Sequence, residues 1–140
     1  MAEATQAVLA AIDFERKRQD VKWGNLPHLP DGTGDQVWSE LATMAKQVCD
    51  EAAKTKTVTW TDIFLEEVYE ALAETDMDKV VGELVQVAAV VSRWIEDLAE
   101  RMQVPVVHLL PETTVPDLRV AGLERHRPEA RRQAGPHFRL

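Results

Sequence analysis

Glu66, Glu67 and Glu70, with Glu83 further along the chain, are the side chains whose type and spacing point most directly to chemistry. At 3.6 residues per turn the first three share one side of a helix, and a returning helix can bring Glu83 opposite them. Carboxylates so placed repel one another and raise one another's pKa, a strain that a hard divalent cation relieves. Magnesium suits such a site because it takes oxygen ligands, keeps several waters and commonly sits between one or two carboxylates and a substrate's phosphates. The competing reading is a solvated acidic helix face, which is what three glutamates alone more often make.

The neighbours of these acids weigh against simple solvation. Glu66 has Ile63 and Tyr69 three residues to either side, Glu67 follows Ile63 and Phe64 by four and three, and Glu83 is set among Val80, Val81, Leu84 and Val87. A carboxylate at the margin of a core needs a partner. A metal ion is one candidate; an ion pair from Lys79 or Arg93 on Glu83's own helix is the structural alternative.

Such a cluster requires helices, and the apolar pattern supplies them. Val8, Leu9, Ile12 and, more loosely, Phe14 predict a first helix from Thr5 to about Lys22. Trp23, Gly24, Pro27, Pro30, Gly32 and Gly34 predict a loop over about 23–34, because proline lacks an amide donor and glycine accepts turn geometry. Asp35 can cap a second helix whose stripe is Val37, Trp38, Leu41, Met44 or Ala45, Val48, Cys49 and Ala52, ending near Lys54. Thr59 and Asp62 form a capping pattern before a third helix with Ile63, Phe64, Val68 and Leu72 as its apolar face. Asp76 is a candidate cap for a fourth helix reaching about Met102. From Val80 to Val91 that helix is apolar almost all the way round, with one polar stripe of Lys79, Glu83, Gln86, Arg93 and Asp97.

A helix apolar on so many sides, in a chain this small, predicts burial against a second subunit and hence a homodimer or homotetramer. The expected fold is all-α: one compact four-helix unit over 1–102, followed by an irregular tail rich in Pro and Arg over 103–140. Short Val-rich pieces such as 104–110 could dock on a neighbour.

Charge and composition narrow the function classes. The net charge is -8, and it is uneven: residues 1–102 carry 10 basic and 20 acidic side chains, 103–140 carry 6 and 4. An acidic body repels a polyanion, so no nucleic-acid polymer is expected as partner, whereas a small phosphorylated ligand can be held through metal ions. The single cysteine, Cys49, excludes an internal disulfide, and its place on an apolar stripe predicts a buried thiol in a reducing cytosol. No run approaches the ~18 apolar residues of a membrane span, and the start lacks a signal peptide's pattern. A cytoplasmic protein with no membrane partner is expected. His28, His108, His126 and His137 show no H-x-x-x-H spacing, and none follows a glutamate by three, which argues against zinc and di-iron chemistry. No phosphate-binding G-x-x-x-x-G-K-[ST] loop is present.

Glu66-Glu67-x-x-Glu70, followed after a short turn by Glu83-Leu84-Val85-Gln86, resembles the signature of the MazG-like all-α nucleoside triphosphate pyrophosphohydrolases. Their pattern is E-E-x-x-E and then E-x-x-D on the next helix, with the acids holding magnesium or manganese. The resemblance covers 1–102 and implies a MazG-like four-helix bundle in an intertwined homo-oligomer; the tail does not match. The run from Glu15 to Gly24, a following His28, and Glu83-Leu-Val-Gln-Val-Ala-Ala are similar to a bacteriophage-associated branch, which implies action on dATP or dGTP in a host cytoplasm.

One departure matters: Gln86 stands where the wider family has aspartate, and an amide binds magnesium more weakly than a carboxylate does. Asp62, Glu74 and Asp78 are the acids nearest in sequence that could replace it. What the resemblance implies is therefore a Mg2+ or Mn2+ site of Glu66, Glu67, Glu70 and Glu83, with Gln86 acting through a water or on the substrate.

In that setting Glu67, lying between the other ligands, is the expected base toward water. Arg16, Lys22, Lys54, Lys56, Lys79 and Arg93 are available to phosphate, while Gln19, Trp23 and Trp38 could read or stack a base. Trp38 reads more readily as core, and Lys54 and Lys56 as solvated loop charges. The rival functions are a hydrolase of damaged nucleotides and an oligomeric helical interaction protein without catalysis.

Overall fold

Helix ends are set locally here, by side chains that satisfy the amides and carbonyls a helix leaves unpaired. The computed structural model describes residues 2–24 and 28–109. Among them it is all-helical: α1 (Ala2–Trp23), α2 (Gln36–Lys54), α3 (Trp60–Ala73), α4 (Met77–Met102) and a single turn, α5 (Val106–Leu109). No helix among the described residues is long and apolar enough to cross a membrane.

The expected caps are present. Asp35 accepts from the Val37 amide, and Thr59 and Asp62 form a reciprocal capping box at the start of α3. Asp76 accepts from the Asp78 amide at the start of α4. The far ends of α2 and α4 close with the same device. After α2 the Thr57 amide donates to the Ala52 carbonyl and the Lys56 amide to Ala53, with Lys56 in the left-handed region at φ 57°. After α4 the Val104 amide donates to Ala99 and the Gln103 amide to Glu100, with Gln103 at φ 55°. This is the Schellman arrangement, in which glycine usually takes the left-handed position.

The chain divides into two compact units. One holds the residues up to Leu29 and those from Leu98 onward; the other is Pro30–Asp97. α4 contributes to both, with Asp97 and Leu98 at the division.

In the first unit α5 packs on α1, and Val8, Ala99 and Val106 are buried. Within the chain, α5, which falls in the Val-rich piece 104–110, packs on α1. Residues 110–140, and with them most of the expected tail, lie outside the described residues. The expectation for Trp23 is corrected: it is the last residue of α1 rather than part of a loop. The Gly24 amide still donates to the Asp20 carbonyl, with Gly24 at φ 66°, so the helix turns off only after the tryptophan.

In the second unit α3 is flanked on two sides. Trp38 stacks on Tyr69 and Lys46 meets Glu66, so α2 and α3 run antiparallel, as the short connection between them requires. On the other side Trp60 and Phe64 pack against Trp94, and the Trp60 indole donates to Asp97 at 2.9 Å. α4 is therefore antiparallel to α3 as well, held through large side chains where α2 holds by close backbone approach. The segment before α2 is tied to the same unit: the Gly34 amide donates to the Leu72 carbonyl at 2.8 Å, and the Trp38 indole to Gly32 at 3.2 Å. Gly34 has φ +83°, and a Cβ there would meet Thr75 at 3.0 Å, so a side chain at 34 is opposed by both backbone and space.

The apolar circumference of α4 is only partly covered within one chain. Val80 is buried, but Val81, Leu84 and Val85 are 64%, 53% and 63% exposed. Within one chain it buries a face, not its circumference.

A lysine in the left-handed region costs about 1 kcal/mol relative to glycine. Lys56→Gly is expected to raise stability by about that amount in urea unfolding followed by circular dichroism; an unchanged or lowered midpoint would contradict the strain at this cap.

Candidate metal centre

Antiparallel packing of α4 on α3 decides which acids meet. Carboxylate oxygens of Glu67, Glu70 and Glu83 lie within 4.8 Å of one another, each side chain half-buried. Oε2 of Glu67 is sealed from solvent and has no hydrogen-bond partner. Burial, then the charges of Glu66 and Glu83, hold the Glu67 acid above its ordinary value. Glu70 is raised by burial, then by Glu67, Glu66 and Glu83, and is drawn part of the way back by Lys46. Three converging carboxylates, one of them with a buried and unpartnered oxygen, are a donor set that suits a hard cation.

Glu66 stands apart from this triad. Its side chain turns toward α2, where Lys46 Nζ lies 3.9 Å from Oε1 and the Cys49 thiol hydrogen-bonds to the carboxylate. That hydrogen bond, then burial and the charges of Glu66, Asp62 and Asp50, push the thiol up to about 11. Cys49 is therefore a protonated donor at neutral pH, and it is half-buried rather than enclosed as expected. The E-E-x-x-E motif thus divides into one acid partnered by the protein and two that are not.

Gln86, the position of the missing aspartate, donates from Nε2 to Glu83 Oε2 at 3.4 Å and so touches the triad directly. The expected ion-pair alternatives for Glu83 do not account for it. Lys79 makes no ion pair with it, and Arg93, ten residues on, is about 15 Å along the helix axis. Of the acids that could replace the aspartate, Asp62 accepts from the Thr59 amide and hydroxyl at 2.9 and 2.8 Å. Glu74 accepts from the amides of Thr75 and Asp76, which hold it below its ordinary value, and Asp78 is exposed in the first turn of α4. Asp62 and Glu74 thus serve the local backbone.

The remaining expected contacts fall in two places. Lys79 and Arg93 are exposed on α4, in the same unit as the acids. Arg16, Gln19, Lys22 and Trp23 are on α1 in the other unit, where they engage one another and their neighbours. Arg16 reaches Asp20 at 2.9 Å and Gln19 at 3.1 Å, and the Lys22 ammonium lies 5.7 Å from the Trp23 ring centre. Trp38 is half-buried against Tyr69.

Lys46 is the residue that sequence reasoning passed over. Its signal was available in the short link: counting outward from Thr57, position 46 falls opposite 68, within a turn of Glu66. No protein-family model, curated protein or solved structure matches this chain.

Glu67 and Glu70 bind protons more tightly folded than unfolded. Their ionisation therefore weakens the fold, and the ion-free protein gains stability as pH falls through their raised values toward 4.5. In chelator, Glu67→Gln is expected to unfold at higher urea than wild type at pH 7, with the gap closing near pH 4.5. Equal or lower stability of the variant at pH 7 would rule out the strain.

Proposed function

We propose that this chain is a metal-dependent nucleoside triphosphate pyrophosphohydrolase of the MazG-like kind, converting a purine deoxynucleotide, dGTP or dATP, to the monophosphate and pyrophosphate. The observation that carries the reading is the triad of Glu67, Glu70 and Glu83, one member of which, Glu67, also has a sealed and unpartnered Oε2. Repulsion of this kind, unrelieved by any protein donor to that oxygen, is a standing destabilisation unless the site has a use.

Glu67, Glu70 and Glu83 would hold Mg2+ or Mn2+, with Glu66 beside them and Gln86 on the side of the missing acid. The ion, when bound, supplies the positive charge that lets an acidic site accept a triphosphate and acidifies water. Glu67, whose burial raises its proton affinity, is suited to take the proton from the attacking water through its carboxylate. Gln86 fixes the orientation of Glu83 through its amide and offers its carbonyl to the substrate side. Lys79, one turn from Glu83 on α4, bears a positive charge that phosphate oxygens would meet; Arg93 lies further along the same helix. On α1, in the other unit, Arg16, Gln19, Lys22 and Trp23 form a cationic and aromatic group of their own.

The working form is a homodimer or homotetramer. The exposed stripe of Val81, Leu84 and Val85 on α4 supports this, because a second copy of the helix would remove it from water.

A panel of eight common nucleoside triphosphates, with monophosphate and pyrophosphate both quantified, tests class and specificity together. Purine deoxynucleotides are expected to be turned over with magnesium or manganese, activity is expected to vanish in EDTA and return with metal, and Glu67→Gln is expected to lose at least 100-fold in kcat with helix content intact. Orthophosphate release, or activity persisting in chelator, would reject the assignment.

Light scattering after size exclusion is expected to give two or four times the 15.8 kDa chain mass, and Val85→Glu to shift the protein toward monomer. A monomer at all micromolar concentrations would remove the oligomer.

A further inference from the structure

Lys46 is held differently from the other paired cations. Lys17, Lys54 and Arg16 meet their acids at 2.7, 2.8 and 2.9 Å, within one helix each. Lys46 instead hangs between Asp50 Oδ2 at 3.7 Å on its own helix and Glu66 Oε1 at 3.9 Å on α3. Both separations exceed a directed hydrogen bond, so the ammonium is attracted by charge without being fixed in direction. Its side chain is 60% exposed, whereas Glu66 is 17% exposed: the acid is anchored and the cation is not. Glu66 also has the Cys49 thiol as a neighbour on α2, one that stays protonated because its acidity is pushed down by that carboxylate. A lysine is suited to such exchange, being a compact charge on a flexible four-carbon stem.

We propose that Lys46 is a movable counter-cation of the acidic site. In the ion-free protein it offsets the charge of Glu66 at the edge of the triad, and it turns to a phosphate oxygen when a divalent ion and a triphosphate take over that balance. This rests on the metal reading above. Lys46 is a positioning residue in the ion-free state and a phosphate ligand in the loaded one. The position is fitted for both because α2 packs directly on the face of α3 that bears Glu66, while the rest of its side chain remains in water.

The two roles carry opposite signs, and one variant separates them. Isothermal titration of the full chain with Mn2+ alone is expected to show Lys46→Gln binding the ion several-fold more tightly than wild type, since a repelling charge within a Debye length has gone. With Mn2+ saturating, a dGTP analogue whose α–β bridging oxygen is replaced by methylene is expected to bind the same variant several-fold more weakly. Lys46→Arg, which keeps the charge, is expected to stay near wild type in both titrations. A purely structural lysine would move thermal stability without this opposition of signs. Mn2+ affinity unchanged or weakened in Lys46→Gln, or analogue affinity unchanged, overturns the proposal alone. Wild-type protein that takes up no Mn2+ overturns the metal reading and this proposal with it.

Discussion

Repulsion among carboxylates on α3 is the constraint around which the second unit is arranged. Three glutamates within five residues of one helix cannot all be satisfied by water when neighbours pack on two sides of that helix. The chain resolves the conflict unequally. α2 brings Lys46 and Cys49 to Glu66, which becomes a partnered side chain at the helix seam. α4 brings Glu83, a further anion, to Glu67 and Glu70, and so concentrates the unresolved charge at one place.

The way α4 is attached makes that concentration tolerable. Trp60, Phe64 and Trp94, with the indole of Trp60 bonded to Asp97, fix the helix at one end through large and rigid side chains. The backbones of α3 and α4 do not approach as closely as those of α2 and α3. The same attachment leaves Val81, Leu84 and Val85 uncovered, so the face of α4 that carries the acid and the face that carries exposed aliphatic groups belong to one short stretch of helix.

Local and non-local information separate cleanly in this chain. The Asp35 cap, the Thr59 and Asp62 box, the Asp76 cap and the ends of α2 and α4 were legible because a cap involves residues within a few positions of each other. Trp23 was misplaced for a related reason: glycine and proline mark where a helix stops, but Gly24 closes the last turn and leaves its predecessor helical. For the site, the side-chain types and their spacing on α3 were readable, and so was the anomaly of Glu83 in an apolar helix. The roles within the motif were not, because Glu66, Glu67 and Glu70 are equivalent until it is known which neighbour each one faces.

The sequence by itself determined the helices, their caps and the presence of an acidic motif, since these follow from periodicity and from contacts one turn apart. Only the tertiary structure decided that Glu67, Glu70 and Glu83 converge while Glu66 turns to Lys46 and Cys49. The physical reason is range. Lys46 and Glu66 are twenty positions apart, and their meeting depends on the register of two antiparallel helices, which is fixed by packing across the whole seam rather than by either segment alone.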